Sequence, residues 1–368
     1  MATFAAAHAY DLPAEELVDV CVEQLRTSST ANHRLGFVYL TDEVSAETEQ
    51  IVADLKQKTG VEHWLGTVGL GICASGAEYF GRPAIAVLTC DIDEDSTKIL
   101  PQLNSVADLG EISAQDFFAA IGIVHADPRN TSILDLVSNL ANDHQTFLVG
   151  GLTSAEKNFA QISGTAMECG VSGVLLGGKV QVAVGLTQGC SPIGPPHIVN
   201  QSDQNILMTL DGQPAYEILC EDLGVAEGVD PRPWLSNIHA AILVSGSDTG
   251  DYLVRNLVGI DMSQGLVAIA DAVESGSRVV FVRRDAEAAA KDLHRMLDDL
   301  KGRSQQEPKA ALYYSCLARG PNLFEDESFE LKTIREALGD IPLAGFFGNG
   351  EISNDRVYGY TGVLTLFY

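Results

Sequence analysis

A short stretch near the C-terminus, Leu343–Ile352 (LAGFFGNGEI), decides how this chain is expected to fold. It places three glycines within six residues and follows them at once with Glu351. Such a stretch is compatible with a phosphate-binding loop, a small-molecule pocket or a tight turn. The Gly-Lys-Ser/Thr ending of a P-loop is missing, and the spacing is GxxGxG rather than the GxGxxG of dinucleotide-binding loops. The pattern therefore disfavours a nucleotide site.

The same pattern occurs twice more along the chain. WLGTVGLGI begins at Trp64 and LVGGLTSAE begins at Leu148, and their glycines Gly66 and Gly150 fall in register with Gly345. Each copy follows a strand, an amphipathic helix and a second strand, and each leads into further alternating strands. We interpret this as a degenerate β-α-β-β repeat that is present three times, with the glycines as turn residues.

Polar side chains near the third copy indicate a binding site. Glu156 and Glu351 occupy matching places in two copies, and a turn does not require a glutamate. The strand AALYYSC ends at Cys316, and Arg319 follows it. Because neighbouring strands of a β-α-β unit end at one edge, we expect Cys316, Arg319, Asn349 and Glu351 to line one pocket. Arg319 would bind a ligand carboxylate and Glu351 an ammonium group; an internal Arg319–Glu351 salt bridge is an equally simple alternative.

Two other features carry weaker functional hypotheses. In DYLVRNLVGID, Arg255 and Asn256 interrupt an apolar segment, so the arginine must reach the surface, pair with an internal acid or bind a ligand. Glu156 joins these two residues as a secondary candidate for ligand binding. Cys316 as a catalytic nucleophile would need a histidine base, and no histidine lies in a recognisable catalytic motif. A thiol-dependent enzyme using Cys316 remains an alternative, and a non-catalytic role is the prediction.

The histidines predict no metal site. All eight are isolated, without an HxH or HxxxH pair. A single histidine is enough for an axial haem ligand, so haem stays open as a cofactor, whereas covalent haem is excluded because CxxCH is absent.

Composition limits the partners and the compartment. The net charge is −27, from 50 acidic and 23 basic residues, and no basic patch interrupts it. Such a chain repels nucleic acid and anionic membranes. The seven cysteines are scattered and never spaced CxxC, which suits a reducing cytoplasm. We see no signal peptide and no run of about 18 apolar residues, so we predict a cytoplasmic protein without a membrane span.

Two proline-rich clusters mark a connector between two lobes. They are CSPIGPPHIV from Cys190 and PRPW from Pro231, with one predicted helix, Asp211–Leu223, between them. We predict a helical extension at 1–30, an N-terminal domain at 31–205, a connector at 206–235 and a C-terminal domain at 236–368.

Several motifs in this order resemble one family. The segment from GTAMECGVSGVLLGG through GCSPIG to DGQPAYEIL is similar to the end of an N-terminal FIST domain. LVRN, SCLARG, PLAGFFGNGEI and the closing YTGVLTLF are similar to a C-terminal FIST domain. The resemblance covers nearly everything after about residue 30.

The FIST resemblance implies intracellular sensing of a small ligand, with amino acids as proposed ligands. Some bacterial members bind haem and respond to nitric oxide, so a haem-based gas sensor is the main alternative. The sequence shows no kinase, methyl-accepting, GGDEF or F-box segment, and we expect a stand-alone module that signals through a separate partner protein. We predict an α+β fold whose two lobes contain mixed, mainly antiparallel sheets flanked by helices, built from the repeat and stacked in an αββα-like manner.

Overall fold

The computed structural model describes residues 2–28, 32–112, 117–167, 170–225, 235, 237–244 and 251–368. Contacts divide the chain into two compact units, residues 1–188 with 290–368, and residues 189–289. Strands make up 43% of the structure and several mixed sheets are flanked by helices, so the predicted α+β class is confirmed. No helix among the described residues is long and apolar enough to span a membrane.

The strands, in chain order, are β1 (Phe4–Tyr10), β2 (Leu35–Thr41), β3 (His63–Gly69), β4 (Gly71–Ala74), β5 (Ala77–Phe80), β6 (Ala84–Cys90), β7 (Thr97–Leu103), β8 (Ala119–Ala126), β9 (Phe147–Leu152), β10 (Gln161–Ser163), β11 (Ala166–Met167), β12 (Val171–Gly177), β13 (Val182–Gln188), β14 (Cys190–Pro192), β15 (His197–Asp203), β16 (Ile206–Leu210), β17 (Gln213–Pro214), β18 (Ile238–Leu243), β19 (Tyr252–Asp261), β20 (Leu266–Ile269), β21 (Arg278–Arg284), β22 (Ala310–Cys316), β23 (Leu343–Gly348), β24 (Glu351–Ser353), β25 (Arg356–Tyr358) and β26 (Thr361–Phe367). The α-helices are α1 (Ala14–Ser28), α2 (Thr48–Thr59), α3 (Ile133–Asp143), α4 (Ala215–Leu223), α5 (Ala286–Arg303) and α6 (Phe329–Leu338).

The first unit contains three six-stranded sheets with one strand order. Each sheet has a parallel pair, β2 with β3, β8 with β9, or β22 with β23, and α2, α3 or α6 joins the two strands of the pair. The first strand of each pair also pairs antiparallel with β6, β12 or β26. An edge strand, β1, β7 or β13, completes the outer side of each sheet. The third of these sheets, formed by the end of the chain, therefore belongs to the same unit as the first two.

The hairpins that follow the parallel pairs are exchanged between the sheets. Hairpin β4–β5 pairs with β23 of the third sheet, β10–β11 with β3 of the first sheet, and β24–β25 with β9 of the second sheet. Each hairpin thus leaves its own sheet and completes another one. The glycine turn between β23 and β24 is the crossing point from the third sheet to the second.

Close approach of neighbouring strands explains the glycines that align in the sequence. A Cβ atom at Gly66 would lie 1.7 Å from the carbonyl oxygen of Val38, and one at Gly345 would lie 1.7 Å from that of Tyr313. At Gly150 the corresponding distance is 1.8 Å. Real Cβ atoms do not approach backbone this closely, so only glycine fits these three equivalent positions.

Apolar residues from the three sheets pack together in one central core, while helices cover the opposite faces. Three equivalent residues carry polar groups into this core. The hydroxyl of Tyr39 lies 3.0 Å from the hydroxyl of Tyr314 and 3.2 Å from Nε2 of His125. The three side chains are fully buried and form one hydrogen-bonded group.

The second unit is an eight-stranded sheet, from β14 to β21, that packs against α4. The predicted helix Asp211–Leu223 begins only at Ala215, because Asp211 adopts a left-handed turn (φ 49°). Asp211 binds Nδ1 of the buried His197 at 2.7 Å, and Asp222 binds its Nε2 at 3.0 Å. His197 thereby ties the end of α4 to the sheet.

At the N-terminus, the predicted helical extension contains α1 but begins with β1, which pairs with β6. The domain boundaries that the sequence predicts at residues 30, 205 and 235 stay predictions.

Candidate functional site

The candidate site lies where β22 and β23 end at the same edge of the third sheet. Cys316, the last residue of β22, pairs with Gly348 at the end of β23. Glu351 then opens β24 and is fully buried. Its Oε2 accepts hydrogen bonds from the Thr361 hydroxyl at 2.7 Å and the Thr361 amide at 3.2 Å. Its Oε1 has no hydrogen-bond partner among the described residues.

Arg319 reaches the same cluster but pairs with Glu330 of α6. Its side chain is 1% exposed, and its Nε and Nη2 lie 2.9 and 2.8 Å from Oε1 of Glu330. The sequence left two choices for Arg319, a ligand carboxylate or Glu351, and the structure gives it a third partner. Nε donates the hydrogen bond to Glu330, whereas Nη2 is within ion-pair distance only, and neither Nη1 nor Nη2 has a hydrogen-bond partner in the described part of the chain.

Glu330, the acid of this buried ion pair, is held in place by several hydrogen bonds. Besides Arg319, it accepts hydrogen bonds from the Tyr313 hydroxyl at 2.7 Å, the Ser315 hydroxyl at 3.0 Å and the Gly320 amide at 3.1 Å. Four donors for one carboxylate compensate for its removal from water. The charge of Arg319 is thus largely neutralised before any ligand binds.

Burial controls the ionisation of the two groups at the end of the strands. It raises the pKa of Glu351 to about 8, against the opposing effects of Thr361, Arg319 and Cys316. It also raises the pKa of the Cys316 thiol, with a further contribution from Glu351. A thiol that stays protonated at neutral pH is a poor nucleophile. The environment of Cys316 is that of a weak polar contact and gives no support to a thiol-dependent enzyme.

Asn349 adjoins the cluster in sequence, two residues before Glu351, but it is exposed whereas the cluster is buried. It lies exposed in the turn between Gly348 and Gly350, and its backbone amide donates to the carbonyl of Leu152 at 2.9 Å. The turn that connects β23 to β24 consists of Asn349 and Gly350.

Glu156 and Glu351 align in the sequence but do not occupy equivalent positions in the structure, so the predicted match between them is wrong. Glu156 is exposed in the loop that follows β9. Gln161, beside Thr67 of β3, is the residue of the second hairpin that corresponds to Glu351 beside Gly151 of β9. The loop before Gln161 is longer than the turn before Glu351, which displaced the alignment.

Arg255 and Asn256 belong to the second compact unit, on β19. Nε of Arg255 lies 2.7 Å from Oδ2 of Asp271, so an internal acid is its partner. Asn256 pairs in register with His239 of β18 and contributes a hydrogen bond to it. The structure therefore brings together Cys316, Arg319 and Glu351 out of the seven predicted residues, with Asn349 next to them.

Glu330 and Thr361 also belong to the cluster, and neither was predicted from the sequence. A signal for Glu330 was available, because it lies on the same helical stripe as Leu331, Ile334 and Leu338, where an acid needs a buried partner. Thr361 carried no comparable signal, since it reaches Glu351 only through the pairing of distant strands.

A haem does not fit the most deeply buried histidine. His125 has an Nδ1 atom without a partner among the described residues, but the rings of Tyr39, Tyr314 and Phe346 have their centroids 5.5–6.1 Å away from its ring. Burial also lowers the pKa of His125 to about 3. A neutral imidazole enclosed by three rings is a core residue, without the space that a porphyrin requires.

An open cavity of about 600 Å³ lies away from the cluster, at the other end of the strands. Ala120 near the start of β8, Phe147 at the start of β9, Arg303 and Tyr368 are among its lining residues. Arg303 donates to the carbonyl of Val184 at 2.8 Å. None of the predicted site residues lines this cavity.

Comparison with known proteins agrees with the sequence resemblance. The FIST N domain model matches residues 34–213, and the FIST C domain model matches residues 215–354. The uncharacterized protein Rv0628c of Mycobacterium tuberculosis (strain ATCC 25618 / H37Rv) is 30% identical over 325 residues, which cover 82% of this chain and 83% of that protein. The uncharacterized protein Mb0898c of Mycobacterium bovis is 34% identical over 251 residues, covering 62% of this chain and 64% of that protein. FIST domains are sensory modules of signal transduction. The chain belongs to the FIST family.

Proposed function

We propose that this protein is a sensory module that binds a small polar metabolite at the cluster formed by Cys316, Arg319 and Glu351. One observation carries the proposal: two fully buried, ionisable side chains at the end of the parallel strands each keep a polar atom without a partner among the residues that the structure describes, Nη1 of Arg319 and Oε1 of Glu351. Leaving such atoms unsatisfied is costly, and a ligand with a donor and an acceptor would satisfy both.

The position of the cluster supports this assignment. Ligands of sheets with parallel strands usually bind beyond the carboxyl ends of those strands, where Cys316 and Gly348 lie. Asn349, in the turn that connects β23 to β24, is exposed and adjoins the cluster in sequence. Small metabolites that carry both a donor and an acceptor, amino acids among them, are therefore the compounds to screen first.

The output of the module would pass to a separate signalling protein. None of the six described cysteines is joined in a disulfide, which suits a reducing compartment such as the cytoplasm. A haem-based sensor is the alternative that the family resemblance implies, and the ring of His125, enclosed by three aromatic rings, does not support it.

A thermal-shift screen tests the proposal. Purified protein would be heated with amino acids, small dicarboxylates, nucleotides or hemin, and the same screen would be run on Glu351→Gln and on the exposed control Glu156→Gln. A ligand at about 100 times its Kd adds roughly 2.7 kcal/mol to the stability of the folded state, which raises Tm by a few degrees.

The proposal expects a polar metabolite to raise Tm in the wild type and in Glu156→Gln, with a much smaller shift in Glu351→Gln. A shift that is equal in all three proteins would place the ligand elsewhere. A response to hemin alone would favour the gas sensor.

A further inference from the structure

The charges at the cluster indicate which part of a ligand it recognises. Resting on the proposed function, we infer that the ligand binds through a cationic amine placed on Glu351, with a neutral oxygen rather than a carboxylate beside Arg319. The ligand class is then a primary amine with a hydroxyl or carbonyl group nearby, such as an amino alcohol.

The first step is the charge balance around Arg319. Its single positive charge faces Glu330 directly, and two further acids, Glu351 and Glu78 of β5, lie within electrostatic range. Glu330 already compensates the charge of Arg319, and burial raises the pKa of both Glu351 and Glu78 to about 8, so these two acids are mainly neutral at pH 7. A ligand carboxylate would therefore enter as an uncompensated buried charge, which is strongly disfavoured.

Two of the three acids keep an oxygen without a partner among the described residues, Oε2 of Glu78 and Oε1 of Glu351. Glu78 is half-buried and Glu351 is fully buried, so the second step concerns Glu351. Glu330 is satisfied by four donors, whereas Glu351 is fully buried and keeps Oε1 without a partner in the described structure. The groups that face Glu351 are Thr361 of β26 and Cys316 and Arg319 at the end of β22. An ammonium group at Oε1 would supply the missing donor and a compensating charge.

The third step concerns the proton that the Glu351 carboxyl carries in the ligand-free protein. Burial raises its pKa to about 8, so at pH 7 the free protein holds this carboxyl mainly in its neutral form. A bound ammonium favours the carboxylate, so binding must release the proton to solvent. Because the Glu351 carboxyl is mainly protonated in the free protein at pH 7, amine binding should release a proton, at most one per bound molecule.

The experiment uses the full chain and three series of compounds that share the same side chains: L-amino acids, the corresponding 2-amino alcohols and the corresponding 2-hydroxy acids. Thermal shift ranks the three series. Titration calorimetry of the best amine, at pH 7 in two buffers with different ionisation enthalpies, counts the protons released.

We expect the amino alcohols to give the largest shifts, with proton release near one, and the hydroxy acids to give none. Glu351→Gln should lose both the shift and the proton release, and Glu156→Gln should keep both. Larger shifts with the zwitterionic amino acids, or amine binding without proton release, would overturn the amine assignment while the proposed site stands. If no series binds through Glu351, the proposed function at this cluster fails as well.

A ligand-free measurement tests the proton on Glu351 separately. The folded-state pKa lies above the ordinary value of 4.5, so the folded state keeps a proton that the unfolded state has lost between pH 4.5 and about 8. Wild-type stability should therefore fall over this window relative to Glu351→Gln and change no further above it. Parallel pH profiles of Tm for the two proteins would contradict the raised pKa.

Discussion

The buried ion pair between Arg319 and Glu330 makes a sharp prediction about stability. Glu330→Gln keeps the size of the side chain and removes the charge, leaving a guanidinium that is 1% exposed without its carboxylate. Burial lowers the pKa of Arg319, but the Glu330 carboxylate outweighs burial and holds that pKa above its ordinary range. Removing one partner of a buried pair costs about 3–5 kcal/mol.

That loss can be measured from the first compact unit. The chain has two tryptophans, Trp64 and Trp234. Trp64 is fully buried in the first compact unit, so once Trp234 is replaced by Phe, the remaining fluorescence reports the unfolding of this unit in urea. With an m-value of about 2–3 kcal/mol/M, the midpoint of Glu330→Gln should fall by roughly 1–2 M. Glu336→Gln, on the exposed face of the same helix, should leave the midpoint within a few tenths of a molar.

The reasoning would be refuted by a loss below about 1 kcal/mol for Glu330→Gln, the range of an exposed pair. In that case Arg319 must find water or another acid, and its buried position would not depend on α6. A changed m-value would point instead to a different unfolded or native state.

Two further predictions concern backbone approach and histidine titration. Gly345→Ala should abolish soluble folded protein, because its Cβ would lie 1.7 Å from a carbonyl oxygen, whereas Gly60→Ala, with φ 78° and open space around it, should cost about 1 kcal/mol in a melting experiment. Burial lowers the pKa of His197, but the hydrogen bonds that its ring donates to Asp211 and Asp222 outweigh burial and raise that pKa. NMR should therefore show a midpoint above 6.5, and the stabilisation from His197 should be present below pH 6.5 and lost as pH rises through that midpoint. Burial lowers the pKa of His125 to about 3, so its ring should not titrate between pH 5 and 9; a midpoint in that range would mean that the central core is open to water.

The glycine register was readable from the sequence because a local constraint produces it. Gly66, Gly150 and Gly345 recur wherever the backbone of a parallel neighbour comes too close for a Cβ atom, and this depends on one strand pair at a time. The α+β class and the helix positions follow from equally local patterns. Exchange of the hairpins among three sheets could not be predicted, because each pairing joins segments that are distant in sequence.

The candidate site was predictable only in part for the same reason. Cys316 and Glu351 meet because they end and begin strands at one edge, which the β-α-β rule anticipates. Glu156 failed because Gln161 comes eleven residues after Gly150, whereas Glu351 comes six residues after Gly345. An insertion in a loop leaves no trace in hydrophobic periodicity, so the register of the glycines could not be carried across it.

Comparison of the three copies explains why the third one is the place to look for function. The scaffold buries equivalent positions in all of them, but the chemistry differs. The position of Glu351 is Ile72 in the first copy, which needs no partner, and Gln161 in the second, whose amide donates to Thr153 at 3.0 Å and carries no charge. The position of Cys316 in the third copy corresponds to Asp127 in the second copy, and the Asp127 carboxylate forms an ion pair with Arg129 at 2.6 Å. Gln161 also keeps an oxygen, Oε1, without a partner among the described residues, but of the three positions equivalent to Glu351 only that of Glu351 holds an ionisable group. A ligand at the proposed site would therefore have its largest energetic effect there.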